Sequence, residues 1–185
     1  MSNNFNTVKE VTQWINFRFN DQVYDLSHLN AHWAEYLDDR NESNPITYKF
    51  IVTYGLHCFT KDSNELATIT EAQLLIYHAP NESRQFNFER YELSKQLSSI
   101  IKSLHEKTTL VCHAGYGRFA IVKVLNSNGI EVDYFVVFTV FKECKKLRLH
   151  VMSAYPKDER IGKVKKVSFF IIARNLLNNK KLPST

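Results

Sequence analysis

The sequence predicts an α+β fold in a single domain spanning residues 1–185: a long amphipathic helix packed on an antiparallel β meander, preceded by an N-terminal helical and hairpin region. Three observations carry this expectation. Residues 87–105 (NFERYELSKQLSSIIKSLH) place Leu93, Leu97, Ile100, Ile101 and Leu104 at i, i+4, i+7, i+8 and i+11, one broad apolar stripe. Residues 130–156 (IEVDYFVVFTVFKECKKLRLHVMSAYP) read as two long strands joined by a short charged turn. The turns between residues 110 and 156 are too short for parallel crossovers, so neighbouring strands are expected to pair antiparallel. A chain of 185 residues with 44% hydrophobic residues can bury a sizeable core.

Taken in order, Val8, Val11, Trp14 and Ile15 fall at helical spacing and predict a short helix, which residues 16–19 extend or replace with a small strand. Residues 23–38 repeat the helical spacing with Leu26, Leu29, Trp33 and Leu37, and Ser27 stands where a cap is needed. DDRNESNP (38–45) is a loop by composition. Residues 46–60 are rich in β-branched and aromatic types and predict a strand, with Gly55 marking a bulge or a close backbone approach. A returning strand is expected over 73–79, closed by Pro80. Asn87 caps the long helix, and Glu89, Glu92 and Lys102 suit its dipole. Strands follow at 110–113, 118–125, 130–141 and 147–155, with NSNG (126–129) as a hairpin turn. The spacing of Val167, Phe170, Ile171, Arg174 and Leu177 predicts a helix over 164–178. The chain thus divides into 1–80, a helix-plus-meander core over 84–156, and a basic segment over 157–185.

Several classes are set aside. No apolar run approaches the roughly 20 residues of a membrane helix, and MSNNFNTVKEVTQW lacks the layout of a signal peptide. Three cysteines without a close pair suit a reducing compartment, so a cytoplasmic protein is expected. There is no Cys-x-x-Cys, P-loop, GxGxxG or GxSxG, and neither metal nor cofactor is expected. His28 and His32 have a metal-compatible spacing, but a helix-surface pair is the better reading. Cys58 reads as buried core rather than nucleophile.

The net charge of +5 hides an asymmetry. Residues 1–141 carry 12 Lys/Arg and 16 Asp/Glu; residues 142–181 carry 12 Lys/Arg and three acids. A basic block on a weakly acidic body is the footprint of a polyanion binder. Lys145, Lys146, Arg148, Lys163, Lys165 and Lys166 are its expected phosphate contacts, with Arg84 near the helix start. In KLRLHVMSAYP a two-residue period puts Leu147, Leu149, Val151, Ser153 and Tyr155 on one face, and Arg148, His150, Met152 and Ala154 on the other. An imidazole beside a guanidinium is the pairing that metal-free phosphodiester cleavage needs, one moving a proton and the other stabilising charge. His57, after the Gly55 irregularity, is a second acid/base candidate.

A helix followed by a meander whose last strand ends HVMSAYP resembles the barnase/EndoU/colicin/RelE-like nuclease superfamily over about residues 84–156. The resemblance implies a toxin-like, metal-independent endoribonuclease. It implies catalytic or phosphate-binding roles for His150, Ser153 and Tyr155, with Arg90 and Arg118 as further phosphate ligands. RNA or another polyanion is then the expected partner, along with an acidic inhibitor protein. The same basic face equally suits a non-catalytic module for nucleic acid or for an acidic protein.

Overall fold

The computed structural model describes residue 5 and residues 7–62, 75–115, 117–127, 130–157 and 165–183. Its centre is a six-stranded sheet. The strands are β3 (His32–Asp38), β4 (Ile46–His57), β8 (Val111–Gly115), β9 (Arg118–Ser127), β10 (Ile130–Glu143) and β11 (Lys146–Lys157). Across the sheet they lie in the order β3-β4-β11-β10-β9-β8. Strands β8 to β11 run antiparallel in sequence order, but β11 pairs in parallel with β4. The sheet is therefore mixed, which corrects the expected antiparallel meander. With β4 on one side and β10 on the other, β11 is an interior strand. Leu147, Arg148 and Leu149 are all buried in succession, the pattern of a strand covered on both faces.

The expected long helix is also corrected. Residues 87–105 form α1 (Phe88–Ser94), α2 (Leu97–Lys102) and a 3-10 turn (Ser103–His105). Serine chemistry supplies the reason. The Ser94 hydroxyl donates back to the Tyr91 carbonyl at 2.7 Å, and Gln96 N reaches the Leu93 carbonyl three residues back. Ser103 bonds back to Ile100 in the same way. Such local bonds compete with the α-helical ladder and tighten it into 3-10 geometry. The apolar stripe survives the break: Leu93, Leu97, Ile100, Ile101 and Leu104 are all buried.

Residues 23–38 are not a helix. They contribute part of β2 (Gln22–Tyr24), a 3-10 turn (Ser27–Leu29) and β3. Along β3 the burial alternates, with Ala34 and Tyr36 inside and Trp33 and Leu37 outside. HWAEYLD satisfies a period of two as well as the helical one, and pairing along β4 from His32↔Val52 to Asp38↔Ile46 decides for the strand. His28 and His32 consequently do not share a helix face. The N-terminal stretch is irregular up to β1 (Phe17–Phe19), which forms a hairpin with β2. It is tied down by Trp14 N to Asn30 Oδ1 and by Ala31 N to the Thr12 carbonyl. The returning strand is β6 (Ile76–His78); it pairs with β7 (Ser83–Phe86) rather than with β4, and β5 (Thr60–Lys61) completes that small sheet. Part of the expected strand 73–79 and of the turn 126–129 lies outside the described residues.

Helices α1, α2 and α3 (Phe169–Leu177) cover one face of the large sheet. Phe169 packs 4.6 Å from Tyr36 and 5.6 Å from Phe50, and the Tyr36 hydroxyl donates to the Ile101 carbonyl. The N-terminal segment crosses part of the other face: Phe5 lies against Trp33 and Glu10 binds Arg148.

Candidate functional site

The site is built on a β-bulge. Val151 pairs with Phe138 and Ser153 with Val137, leaving Met152 unpaired; on the other side Val151 pairs with Tyr54 and Ser153 with His57. One extra residue reverses the alternation. Ser153 and Tyr155, expected on the Leu147 face, stand instead on the face of His150, and Ala154 takes the buried core position. Gly55 permits this arrangement. A Cβ there would lie 2.7 Å from the Met152 carbonyl oxygen and 3.2 Å from that of Val151.

His150 Nδ1 sits 2.9 Å from the Thr53 hydroxyl, and its Nε2 lies over Gly55. Burial holds the imidazole below its ordinary pKa; the Glu10 carboxylate opposes that shift and Arg148 adds to it. His150 borders a cleft of about 190 Å³ whose other walls include Glu10, Trp14 and Glu82. Thr53, Gly55 and His57 share one face of β4, so His57 follows Gly55 by roughly 7 Å along the strand. Its Nε2 is 3.3 Å from Glu82 Oε2; Glu82 lines the cleft but His57 does not, so His150 is the imidazole that borders it. Beyond His57, β4 leaves the sheet and Arg90 from α1 fills the gap. Its Nη1 donates to the carbonyls of Thr60 at 2.6 Å and His57 at 3.3 Å, and its guanidinium lies 5.4 Å from the Tyr155 ring centre.

His57, Arg90, His150, Ser153 and Tyr155 thus gather around the bulge, while Arg118 is exposed on β9 at the turn from β8. Two expected phosphate ligands are corrected. Arg148 is 1% exposed, bound through Nη1 to Glu143 at 2.5 Å and through Nη2 to Glu10. The face expected to be open is covered there by the N-terminal segment. Arg84 is held by Asp62 at 2.8 Å and Glu82 at 2.9 Å. Arg90 is spent largely on backbone carbonyls. The cleft itself is bordered by carboxylates rather than cations. Cys58 is buried, and burial pushes its thiol up to about 12, which suits core rather than nucleophile.

Burial is the leading cause that lowers His28, His32 and His150 alike. A histidine held neutral in the fold protonates first in the unfolded chain, whose imidazoles titrate near 6.5. Stability is expected to be level above that pH and to fall as the pH drops from about 6.5 to 5. Melting temperatures across that window check this, and His150→Gln should flatten the slope. A flat profile in the parent chain would contradict it.

The basic residues converge elsewhere. Cys144 and Lys145 form the tight β10–β11 turn with φ of 47° and 62°, so Lys145 projects from the tip with Lys146 beside it. Lys142 Nζ donates to the Leu177 carbonyl and to Asn179 Oδ1, both at 3.1 Å, which brings the end of α3 with Lys180 and Lys181 to the same tip. Lys165 and Lys166 are exposed beside β8, where Lys166 bridges to Cys112. Lys163 lies outside the described residues. The charge count pointed to this block, but Lys142, Lys180 and Lys181 were legible as contacts only once the hairpin and α3 were placed together.

Fold and site together define a mixed-sheet protein with an imidazole cleft at a central bulge and a lysine-rich end. The chain belongs to the YjaZ family, whose sequence profile it matches over residues 16–177. It is 49% identical over 177 residues to Protein YjaZ of Escherichia coli (strain K12), an alignment covering 95% of this chain and 97% of that protein. No solved structure matches. No helix among the described residues is long and apolar enough to cross a membrane, and no group of three or more His, Cys, Asp or Glu side chains among them could hold a metal ion.

Proposed function

We propose that this protein is a cytoplasmic RNA-binding module that holds the phosphate backbone at the lysine-rich end of its sheet. The observation that carries the reading is the meeting of two sequence-distant lysine groups. Lys142, Lys145 and Lys146 come from the β10–β11 hairpin, and Lys180 and Lys181 from the end of α3. No ion pair involves any of them among the described residues, and the nearest acid in sequence, Glu143, is occupied by Arg148. Lysines free of ion pairs at a hairpin tip are suited to a flexible polyanion, whose counterions they release. The three free cysteines fit a reducing compartment.

A second reading, cleavage of that RNA, is favoured by the His150 imidazole at the cleft, with His57 bonded to Glu82 on its wall. It lacks the expected guanidinium, because Arg148 is buried and neutralised. One experiment addresses both. Binding of a single-stranded oligoribonucleotide is expected to weaken steeply with salt. Lys145→Glu with Lys146→Glu should weaken it further and lower the log–log salt slope by about 1.4, at about 0.7 per lost contact. An unchanged slope would overturn the proposal. RNA that stays intact keeps the protein a binder; fragments that disappear in His150→Ala would establish cleavage.

A further inference from the structure

At the same end of the sheet, a pocket of about 370 Å³ opens between α3 and the loop joining β3 to β4, within the size range of small-ligand sites. Part of its polar lining is unused. Tyr48 is 1% exposed, yet its buried hydroxyl has no hydrogen-bond partner. A native protein seldom buries a hydroxyl without giving it something to bind. Arg174 lines the pocket from α3 and makes no ion pair among the described residues. It shares the pocket's lining with Tyr48 and Asp38. The one carboxylate present, Asp38, is already taken: Arg40 Nε and Nη2 hold its two oxygens at 2.6 and 2.7 Å. That leaves the Arg174 cation in surplus. The side-chain amides of Asn41 and Asn44 are further donors on the loop, and Phe170 and Ile171 give an apolar wall.

We propose that this pocket binds a phosphate monoester, either the terminal phosphate of an RNA or that of a free nucleotide, with Arg174 and the Tyr48 hydroxyl as its phosphate ligands. The chemistry matches: a guanidinium fork suits phosphate oxygens, the Tyr48 phenol on the pocket wall carries an unused donor, and Phe170 and Ile171 offer an apolar surface to the rest of the ligand. The inference deepens the RNA-binding reading, because Lys142 ties the end of α3 to the lysine-bearing tip and so joins the pocket to the basic end. A backbone running over the lysines would end in the pocket.

The test uses the full chain, calorimetry with adenosine monophosphate, adenosine and inorganic phosphate, and paired oligoribonucleotides differing only in a 5′-phosphate or 5′-hydroxyl. The monophosphate is expected to bind and adenosine not to. Arg174→Ala and Tyr48→Phe should each weaken the monophosphate roughly tenfold or more. Arg174 is exposed, so its loss spares the core, and Tyr48→Phe removes only an unpartnered hydroxyl and should melt no lower than the parent. An advantage for the 5′-phosphorylated strand identifies an RNA end as the source; monophosphate binding without that advantage identifies a free nucleotide. Absence of binding by both the monophosphate and inorganic phosphate at millimolar concentration, or binding unchanged in both variants, overturns the proposal. If the oligonucleotides bind while the monophosphate does not, the pocket fails and the RNA-binding reading stands. If the monophosphate binds while the oligonucleotides do not, the pocket stands and the RNA-binding reading fails.

Discussion

Gly55→Ala is expected to destabilise the protein by about 3 kcal/mol, a large share of a typical folding free energy. The new methyl would stand 2.7 Å from the Met152 carbonyl oxygen and 3.2 Å from that of Val151. Both are backbone atoms of the central strand, so no side chain can swing aside to make room. Relief requires β4 and β11 to part at the bulge, where Val151↔Tyr54 and Ser153↔His57 flank the irregularity. The cost is a packing cost and not a conformational one, since Gly55 is absent from the positive-φ glycines. Gly115 provides the control. Its φ is +79° with nothing within 4 Å of a Cβ, so alanine there should cost only about 1 kcal/mol of backbone strain. Urea midpoints of the two variants separate the cases. A shift for Gly55→Ala no larger than that for Gly115→Ala would show that the close approach does not constrain the sheet.

That glycine was among the features readable from the chain alone, because a small residue inside a β-branched run has few explanations. The strands β4, β9, β10 and β11 and the helix α3 were also readable, each from a long run of one period. What could not be read was where local patterns were ambiguous or where distant segments decided. HWAEYLD fits both a helix and a strand, and only pairing with β4 chooses. The stripe of 87–105 is genuine, but Ser94 and Ser103 spend their hydroxyls on nearby carbonyls and break the helix that carries it. The partner of β11 lies about a hundred residues earlier in β4, and no local signal reports a parallel pairing. At the site, both histidines were identified from residue type and position. Their common face follows from the pairing of His150 with Thr53, which no local signal reports; that of Ser153 and Tyr155 with His150 follows from a bulge at Met152 that strict alternation does not foresee. The pocket residues Arg40, Tyr48 and Arg174 carry no sequence signal beyond charge and aromaticity, since three separate elements bring them together.

Arg148 shows the same limit in its sharpest form, and its removal should be the most damaging single change at a charged position. Read along the strand, an arginine between two leucines looks outward. In the fold it is an interior cation between Glu143, five residues away, and Glu10, 138 residues away. Arg148→Ala would leave two carboxylates facing each other across a vacated cavity. Stranding buried charge in this way costs about 3–5 kcal/mol. The lower end is expected here, because the Glu10 and Glu143 side chains keep 23% and 18% of their exposure and can draw in water. The exposed pair Lys49–Glu35, at 2.9 Å with more than half of each side chain in solvent, supplies the contrast. Lys49→Ala should cost at most about 1 kcal/mol, and salt should erase that difference while leaving the Arg148 effect largely intact. Chemical denaturation at low and high salt measures both. Equal losses in the two variants would mean that the buried triad holds nothing together. Because Glu10 also borders the His150 cleft, Arg148→Ala has a second expected consequence: the N-terminal segment loses its tie to the sheet, and amide exchange over residues 8–14 should quicken before the core opens. Glu10→Gln should reproduce that local loosening at smaller cost to global stability, since it removes one carboxylate and leaves Arg148 paired with Glu143. If exchange there is unchanged in both variants, other contacts of the segment, such as Trp14 on Asn30, are sufficient to hold it over the cleft.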